Sequence, residues 1–553
     1  MALLRKKLCT FYRRTVRIFF ALISAWLFVS CLVATGYTTF HSDFAERCCI
    51  CPDSALLQSV LFSLVCFVVL WKARRGTPFL AMDPHRFSVV RRNLVLFAGL
   101  LALLWVVSVQ PTPNMDARTV QRAASDFHYG HTYLFEPGEY MYLYPNQSGL
   151  FLIHLALQQL NPNTTYPFLL LNSLCYAGIV YLLGEFALEL GLNDSGCIAA
   201  TCLGIGFLPL LFFVTFLYGT VPGLFFSMAG LHLAIRFSQR PKWASGIGAS
   251  IMLFLSVMAK SNYQIFAFGL ILYLLYNSLR GKRHCLYLSA GILVGWLLAG
   301  KLPVVILEHL TGCDLHSGAS MLSWVAMGLH TDSPRGPGWY NGYNESSYFD
   351  SGMNPGVQTR MALKYILGVF YGYWKDPGSA IRFFVQKNAT QWSDPLFQGI
   401  WLNTSMHEEV PHWLELLLDT QGPTPLTWLL NLLQTLIYGG LVLWAWVPTH
   451  EKRKPQEDLL AVILVGGFVF HTFWEAKSQY TLPYVVLVLP LALLGYKRLA
   501  LLAQDRDAKA LWQSPAGKLR FLMPVLLMVL AMVLSAVLAA PLNAALQKLM
   551  QTV

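Results

Sequence analysis

The chain has 553 residues, of which 55% are hydrophobic and only 12% charged, with a mean hydropathy of +0.49. Soluble chains of this length carry about a quarter charged residues and divide into several domains, so the composition excludes that class and sets an all-α polytopic membrane protein. The net charge of +12 follows the membrane topology read below, so no nucleic-acid partner is expected.

In chain order, about thirteen apolar runs are long enough to serve as transmembrane helices: 16–34, 55–70, 94–109, 167–188, 197–217, 222–235, 244–259, 264–279, 286–306, 426–446, 459–473, 482–494 and 519–540. The opening MALLRKKLCTFYRRTVRIFF is basic and then apolar, like a secretory signal, but its apolar part is long and no small-residue cleavage site closes it. It reads as an uncleaved first helix. With the N-terminus inside, 27 of the 40 Lys and Arg residues fall in inner segments, which is the asymmetry that orients membrane proteins. The organisation expected is a two-helix extension with a basic inner linker (1–92), a transmembrane core (93–307) with an outer loop at 111–166, a long outer loop (308–425) and C-terminal transmembrane helices (426–553).

The inner connectors are short and carry no phosphate-binding glycine loop or dinucleotide fingerprint, so any chemistry is expected on the outer face. Cys48, Cys49, Cys51 and Cys313 lie there, with spacing that fits local thiols or an oxidised pair better than a metal site. Sequons stand at Asn146, Asn163, Asn344, Asn388 and Asn403.

The most informative stretch is 111–149, polar, aromatic and acidic between two apolar runs. Residues 116–127 have helical spacing, with Val120, Ala123, Ala124 and Phe127 on one face, and 150–160 supply a second apolar stretch. Both are expected to be helices lying along the membrane interface. Asp116 at the start of the first has two readings: a helix cap, or a base that accepts a proton while Arg118 and Arg122, one turn apart, hold an anion. Glu136, Glu139, Tyr140, Tyr142 and Tyr144, followed by Asn146, then form a surface rich in tyrosine and carboxylate, which suits a sugar: aromatic faces cover its C–H side and acids hold its hydroxyls. An aromatic belt at the headgroups would use the same tyrosines. In the long outer loop, Trp339 and Tyr340 sit on a glycine-rich segment, 336–352, expected to act as an acceptor-binding lid or to pack over the helices, and 360–370 and 373–395 are expected to contain helices.

One membrane helix, an outer loop opening with Asp and two interface helices, and a series of helix pairs resemble the GT-C superfamily of membrane glycosyltransferases, which includes the protein O-mannosyltransferases and the lipid A aminoarabinose transferase. The segment WEAKSQYTLPYVVLVLPLALLGY (474–496) is similar to the R-x-Y-x-L-P entry into a late helix of such proteins, and D-A-R with the later YPNQSG resembles bacterial members. The resemblance covers most of the chain from Leu94 onward. It implies transfer of a sugar, with inversion, from a polyprenyl-phosphate-linked donor to a cell-envelope glycan, lipid or protein acceptor outside a bacterial plasma membrane. Asp116 would be the general base, with Arg118, Lys260, Lys477 and Tyr480 holding the donor phosphate, and Glu475 joining Glu139, Tyr142, Tyr144, Asn146, Trp339 and Tyr340 around sugar and acceptor. The departures are Lys477 and Gln479, where relatives often carry Arg. With neither D-x-D nor H-E-x-x-H in the outer segments, no obligatory cofactor or catalytic metal is expected, although the oligosaccharide transferases of the superfamily use a divalent ion. The alternatives are a polysaccharide polymerase or ligase, whose charged residues would lie mainly in a late loop, and a transporter or flippase, which would carry charges at the bilayer midplane.

Overall fold

Each of the thirteen apolar runs falls largely on helix, and the chain is an all-α polytopic membrane protein apart from one small hairpin. The computed structural model describes residues 2–40, 46–76, 83–161, 165–315, 318–331, 333–404, 423–504 and 515–550. The sequon at Asn163, part of the basic linker (77–82) and residues 405–422 near the end of the long outer loop lie outside the described residues.

The first described elements are α1 (Ala2–Val33), a hairpin of β1 (Ala34–Phe40) and β2 (Glu46–Pro52), α2 (Ala55–Arg74) and α3 (Pro84–Val109). Asp83 caps α3, accepting from the Arg86 amide at 2.9 Å, and Pro84 supplies the fixed φ of a first helical turn. Two helices follow at the expected interface positions, α4 (Met115–His128) and α5 (Ser148–Gln158). The bundle continues with α6 (Tyr166–Leu190), α7 (Asp194–Gly206), α8 (Thr220–Gln239), α9 (Trp243–Ala259), α10 (Gln264–Leu279) and α11 (His284–Thr311). The long loop folds into α12 (Leu322–Gly328), α13 (Tyr343–Asp350), α14 (Pro355–Lys375) and α15 (Pro377–Trp392), before α16 (Pro425–Trp446), α17 (Pro455–Phe473), α18 (Leu482–Gln504) and α19 (Pro515–Met550).

The count of spans differs from the expected thirteen: among the described residues ten helices are long and apolar enough to cross a membrane, or eleven if one bent pair is a single span. That pair is α7 with Leu208–Thr215, bent by 52°, where Pro209 cannot continue the α7 ladder. The other two, α9 and α10, have 17 and 16 residues, short of the ~20 that cross a hydrocarbon core.

Burial sorts the spans into layers. The apolar windows of α6, α8, α16 and α18 are 61–72% buried within the protein, whereas those of α2, α3, α11 and α19 are 17–22% buried and form the lipid-facing rim. At the centre α16 and α18 cross so closely that neither Gly440 nor Gly495 has room for a Cβ, the small-residue contact by which membrane helices approach. The first helix is part of this packing. Phe20 meets Trp444 edge-on at 4.7 Å, and Trp26 meets Phe468 at 5.4 Å, which places α1 against α16 and α17.

The hairpin had no signal in the sequence beyond a short outer loop. It is held from outside: Gly36 donates to the Ser393 carbonyl at 2.7 Å and Cys48 to the Arg335 carbonyl at 2.9 Å, which stitches both strands to the long loop. Gly36 lies against the Asp394 backbone with no space for a side chain. All eleven cysteines are free thiols. The sequon asparagines Asn344, Asn388 and Asn403 are buried, and only Asn146 among the described ones is exposed.

Candidate active site

At one end of the bundle the first interface helix, the stretch leading into the second, the late turn before α18 and the folded loop line a cavity of about 280 Å³. The chain enters it through two left-handed residues, Gln110 at the end of α3 and Met115 at the start of α4. Between them Asn114 donates to the Leu402 carbonyl at 3.1 Å, fixing the approach. Ala117, Val120, Ala123 and Ala124 bury one face of α4 against α5, with Phe127 edge-on to Phe151 at 5.8 Å. Asp116, in the first turn, is left on the cavity wall. The capping reading does not hold, because Asn114 occupies the N-cap position. The Asp116 carboxyl opens on the cavity but is surrounded by protein, and this burial raises it above the ordinary carboxylate range, opposed by Lys477 and by a hydrogen bond with Tyr140.

Lys260 and Lys477 reach the cavity by the same device. Lys260 ends α9 in Ala259-Lys260-Ser261-Asn262-Tyr263, and Lys477 stands in Ala476-Lys477-Ser478-Gln479-Tyr480. Each lysine is extended, with φ −158° and −155°, and caps a single 3-10 turn that leads into an α-helix, α10 and α18. An extended residue between two helical stretches throws its side chain clear of both. Lys260 is clasped between the Tyr218 and Tyr480 rings, 5.0 and 5.1 Å from their centres, and donates to Thr220 at 3.0 Å. Burial, aided by Lys477, pushes it down to about 7.

Lys477 differs because acids surround it. Its Nζ lies 3.3 Å from Glu46 of β2 and 3.6 Å from Glu475, both buried. Burial alone would weaken its charge, but Glu46 and Glu475 outweigh it and hold the ammonium well above the usual lysine range. Glu475 is raised by burial, with Lys477 and the Tyr480 hydroxyl, which donates to it at 3.1 Å, acting the other way.

The opposite wall is aromatic and amide-rich. Tyr144 and Tyr340 donate to Glu345 at 2.7 and 3.1 Å, Asn344 donates to Tyr144 at 2.9 Å, and Trp324 stacks parallel to Trp474 at 6.1 Å. Beneath lies a buried support. Lys387 donates to the carbonyls of Gly328 and of Trp474, the latter at 2.7 Å, and Ala476 donates to Gly338 at 2.8 Å. Asp394 accepts from Ser478 at 2.6 Å and from three successive loop amides, and burial raises it to about 6. The long loop thereby fixes the turn that carries Lys477.

Of the residues singled out in the sequence, Asp116, Lys260, Lys477, Tyr480, Glu475, Tyr144, Asn146 and Tyr340 line this one cavity. Four do not. Arg118 and Glu139 are exposed outside it, and Arg122 pairs instead with Asp126 at 3.4 Å, so α4 offers no two-arginine anion site to the cavity. Tyr142 packs towards Tyr348, and Trp339 is fully buried, donating to Thr390 at 2.9 Å. The helix α13 covers much of the segment expected as a lid. Of the two tryptophans near the ends of α15, Trp392 is buried in the core and Trp374 is exposed. Tyr140, read as part of the same tyrosine surface, lines the cavity too; missed from the sequence were Glu46, Tyr218, Trp324 and Glu345, and the repeated A-K-S-[N/Q]-Y pentapeptide was a readable signal for the two lysine turns. Among the described residues no cluster of three His, Cys, Asp or Glu side chains is arranged to hold a metal ion.

No described protein family matches the sequence, and no curated protein matches it. Among solved structures, the archaeal oligosaccharyltransferase AglB from Archaeoglobus fulgidus, in complex with an inhibitory peptide and a dolichol-phosphate, aligns with 11% identity and a TM-score of 0.41. The alignment covers 81% of this chain and 55% of that one, so the chain spans about half the length of AglB.

Proposed function

We propose that the protein is a membrane glycosyltransferase of the GT-C type that moves one sugar from a polyprenyl-phosphate donor to an acceptor hydroxyl, with inversion, at the extracytoplasmic face. The observation that carries this reading is the meeting of Asp116 with the two lysine turns in one cavity, at the end of the bundle away from most of the basic connectors. The chemistry needs a base, because a hydroxyl is a poor nucleophile at neutral pH, and cations, because charge gathers on the departing phosphate. Asp116 takes the acceptor proton, the acceptor oxygen bonds to the anomeric carbon, and the carbon–oxygen bond to phosphate breaks with its electrons going to the phosphate. Lys260 and Lys477 receive that charge. The tyrosine, tryptophan and Glu345 wall supplies the sugar surface. A cavity of about 280 Å³ is near the lower end of the ~300–1,000 Å³ range of small-ligand sites, which favours a single sugar with its phosphate over a large oligosaccharide.

The test is reconstitution in liposomes with radiolabelled polyprenyl-phosphate monosaccharides and a bacterial envelope extract. Label is expected to pass from lipid to an extractable glycan, lipid or protein on the side opposite the N-terminus, as fixed by cysteine labelling. Release of no label from any such donor, or an externally placed N-terminus, removes the proposal; net movement of intact donor across the bilayer would point to a flippase instead.

The lowered Lys260 yields a pH prediction. The empty site carries its ammonium only below about pH 7, whereas a bound phosphate favours the charged form. Donor binding at pH 8 is therefore expected to take up close to one proton, about 0.9, read by calorimetry in buffers of different ionisation enthalpy. Affinity should fall by up to about tenfold per pH unit above 7. Lys260→Arg, always charged, should flatten that slope; a slope unchanged by the replacement would count against a phosphate-holding Lys260.

A further inference from the structure

A second cavity lies in the opposite half of the bundle, and nothing in the proposed reaction uses it. Its volume is about 610 Å³, and its walls are α2, α7, α16 and α18. Along most of its length these walls are aliphatic: Val65 and Val69 face Leu203, Leu433 and Leu493. Apart from the Tyr496 hydroxyl, which donates to the Leu436 carbonyl, the polar side chains lie at the end away from Asp116, where Asn193, Ser195, Lys497 and Gln504 line the mouth. The cavity is thus amphiphilic along one axis, with hydrocarbon towards the bilayer interior and a polar, charged opening at the membrane surface.

The charge at the mouth has a sign. Lys497 donates to the Gly191 carbonyl at 3.1 Å, and Lys454 approaches the same glycine while donating to the Glu189 carbonyl at 3.3 Å. Lys72 and Arg74 flank the lining residue Ala73 at the end of α2. Against these four cations stand Glu451, 3.4 Å from Lys497, and Asp194 at the start of α7. The first turn of α7 also lines the mouth at Ser195 and Gly196, the Gly196 amide donating to the Asn193 side chain at 3.1 Å. Gln504 ties α18 to the Ala73 carbonyl at 3.1 Å, and Tyr496 ties it to the Leu436 carbonyl at 2.7 Å, so two hydrogen bonds brace the walls.

We infer that this cavity is a site for one anionic phospholipid of the adjacent leaflet, with an acyl chain between α2 and α7 and its phosphate at Lys497 and Lys454. A volume in the ~300–1,000 Å³ range of ligand sites, dry walls at membrane depth and a net positive mouth fit such an amphiphile. The sugar donor is a poor candidate, because its phosphate is assigned to the other end of the protein. The lipid would link α2, on the rim, to the central helix α18, whose first residues follow the Lys477 turn.

The experiment is native mass spectrometry of the full chain, delipidated in mild detergent and given equal amounts of phosphatidylglycerol and phosphatidylcholine with identical acyl chains. One phosphatidylglycerol is expected to survive on each protein, with a preference over phosphatidylcholine of about fivefold or more, since each basic group near an anionic lipid contributes roughly that factor. Ala199→Trp, at an exposed lining position of α7, should fill the cavity and remove the retained lipid. Lys497→Gln should keep a lipid but reduce the headgroup preference about fivefold. The inference is overturned if no lipid survives, if both headgroups are kept equally, if Ala199→Trp retains as much as wild type, or if polyprenyl phosphate displaces phosphatidylglycerol. Should Ala199→Trp not fold, the headgroup preference of wild type against Lys497→Gln decides.

Discussion

Asp116→Asn is expected to lower turnover by about 10²- to 10⁴-fold while leaving donor affinity equal to wild type or tighter. The asparagine keeps the size and hydrogen-bonding capacity of the aspartate but cannot accept the acceptor proton at neutral pH. Donor affinity should not suffer, because in the free enzyme the carboxylate shares its cavity with the cations that would hold the phosphate, and removing it removes a like charge from the anion's path. A merely structural role would show the reverse pattern, with weakened binding and a lower melting temperature. The pH profile adds a second readout. Because burial raises Asp116, the acid limb of the wild-type turnover profile should sit above the range of an ordinary aspartate, and it should vanish from the residual activity of the asparagine variant. Equal turnover in the two proteins would dispose of the mechanism.

The parts of this site differed in how far they could be read from sequence, and the difference is physical. Asp116 and the flanking helices α4 and α5 were legible because a polar amphipathic stretch between apolar runs has few places to go except the membrane interface. Lys260 was legible as a lysine in a setting too apolar for an idle charge, and Lys477 only through the resemblance of its segment to the entry into a late helix. Arg118 was misjudged because helical spacing gives relative directions only, and the face of α4 that the bundle buries left Arg118 outside the cavity lining. Glu46 carried no sequence signal at all. It stands 431 positions before Lys477 and reaches it only because the hairpin is stitched to the Arg335 and Ser393 carbonyls, a contact with no local signature. The spans were over-counted for a related reason: α9 and α10 are as apolar as true spans but stop short, at the turns that deliver Lys260.

Lys477→Met is expected to cost about 3–5 kcal/mol of stability, more than the removal of an exposed lysine, because it leaves buried Glu475 without its cation and buried Glu46 with Arg335 alone. The Lys477 side chain is 13% exposed, and its partners Glu46 and Glu475 are 0% and 4% exposed, so solvent screens the three poorly. The penalty should depend on pH with a definite sign. Without the lysine, burial holds the Glu475 carboxyl above its unfolded-state value, so the folded variant binds a proton there more tightly than the unfolded chain. Its deficit is therefore largest at neutral pH and shrinks as pH falls through that raised range. Glu46→Gln placed on Lys477→Met should restore part of the loss, because it removes one of the stranded charges, whereas Glu46→Gln alone should destabilise by losing its bonds to Gln398 and Arg335 together with the Lys477 pair. The two substitutions are thus expected to be strongly non-additive in thermal unfolding of the detergent-solubilised protein. Additive effects, or a Lys477→Met variant as stable as wild type at neutral pH, would show that the hairpin does not hold the Lys477 turn through this ion pair. Lys477→Arg tests the remaining step: it keeps the charge between the two glutamates and so should preserve the fold, leaving any change in donor affinity attributable to how the cation meets the phosphate.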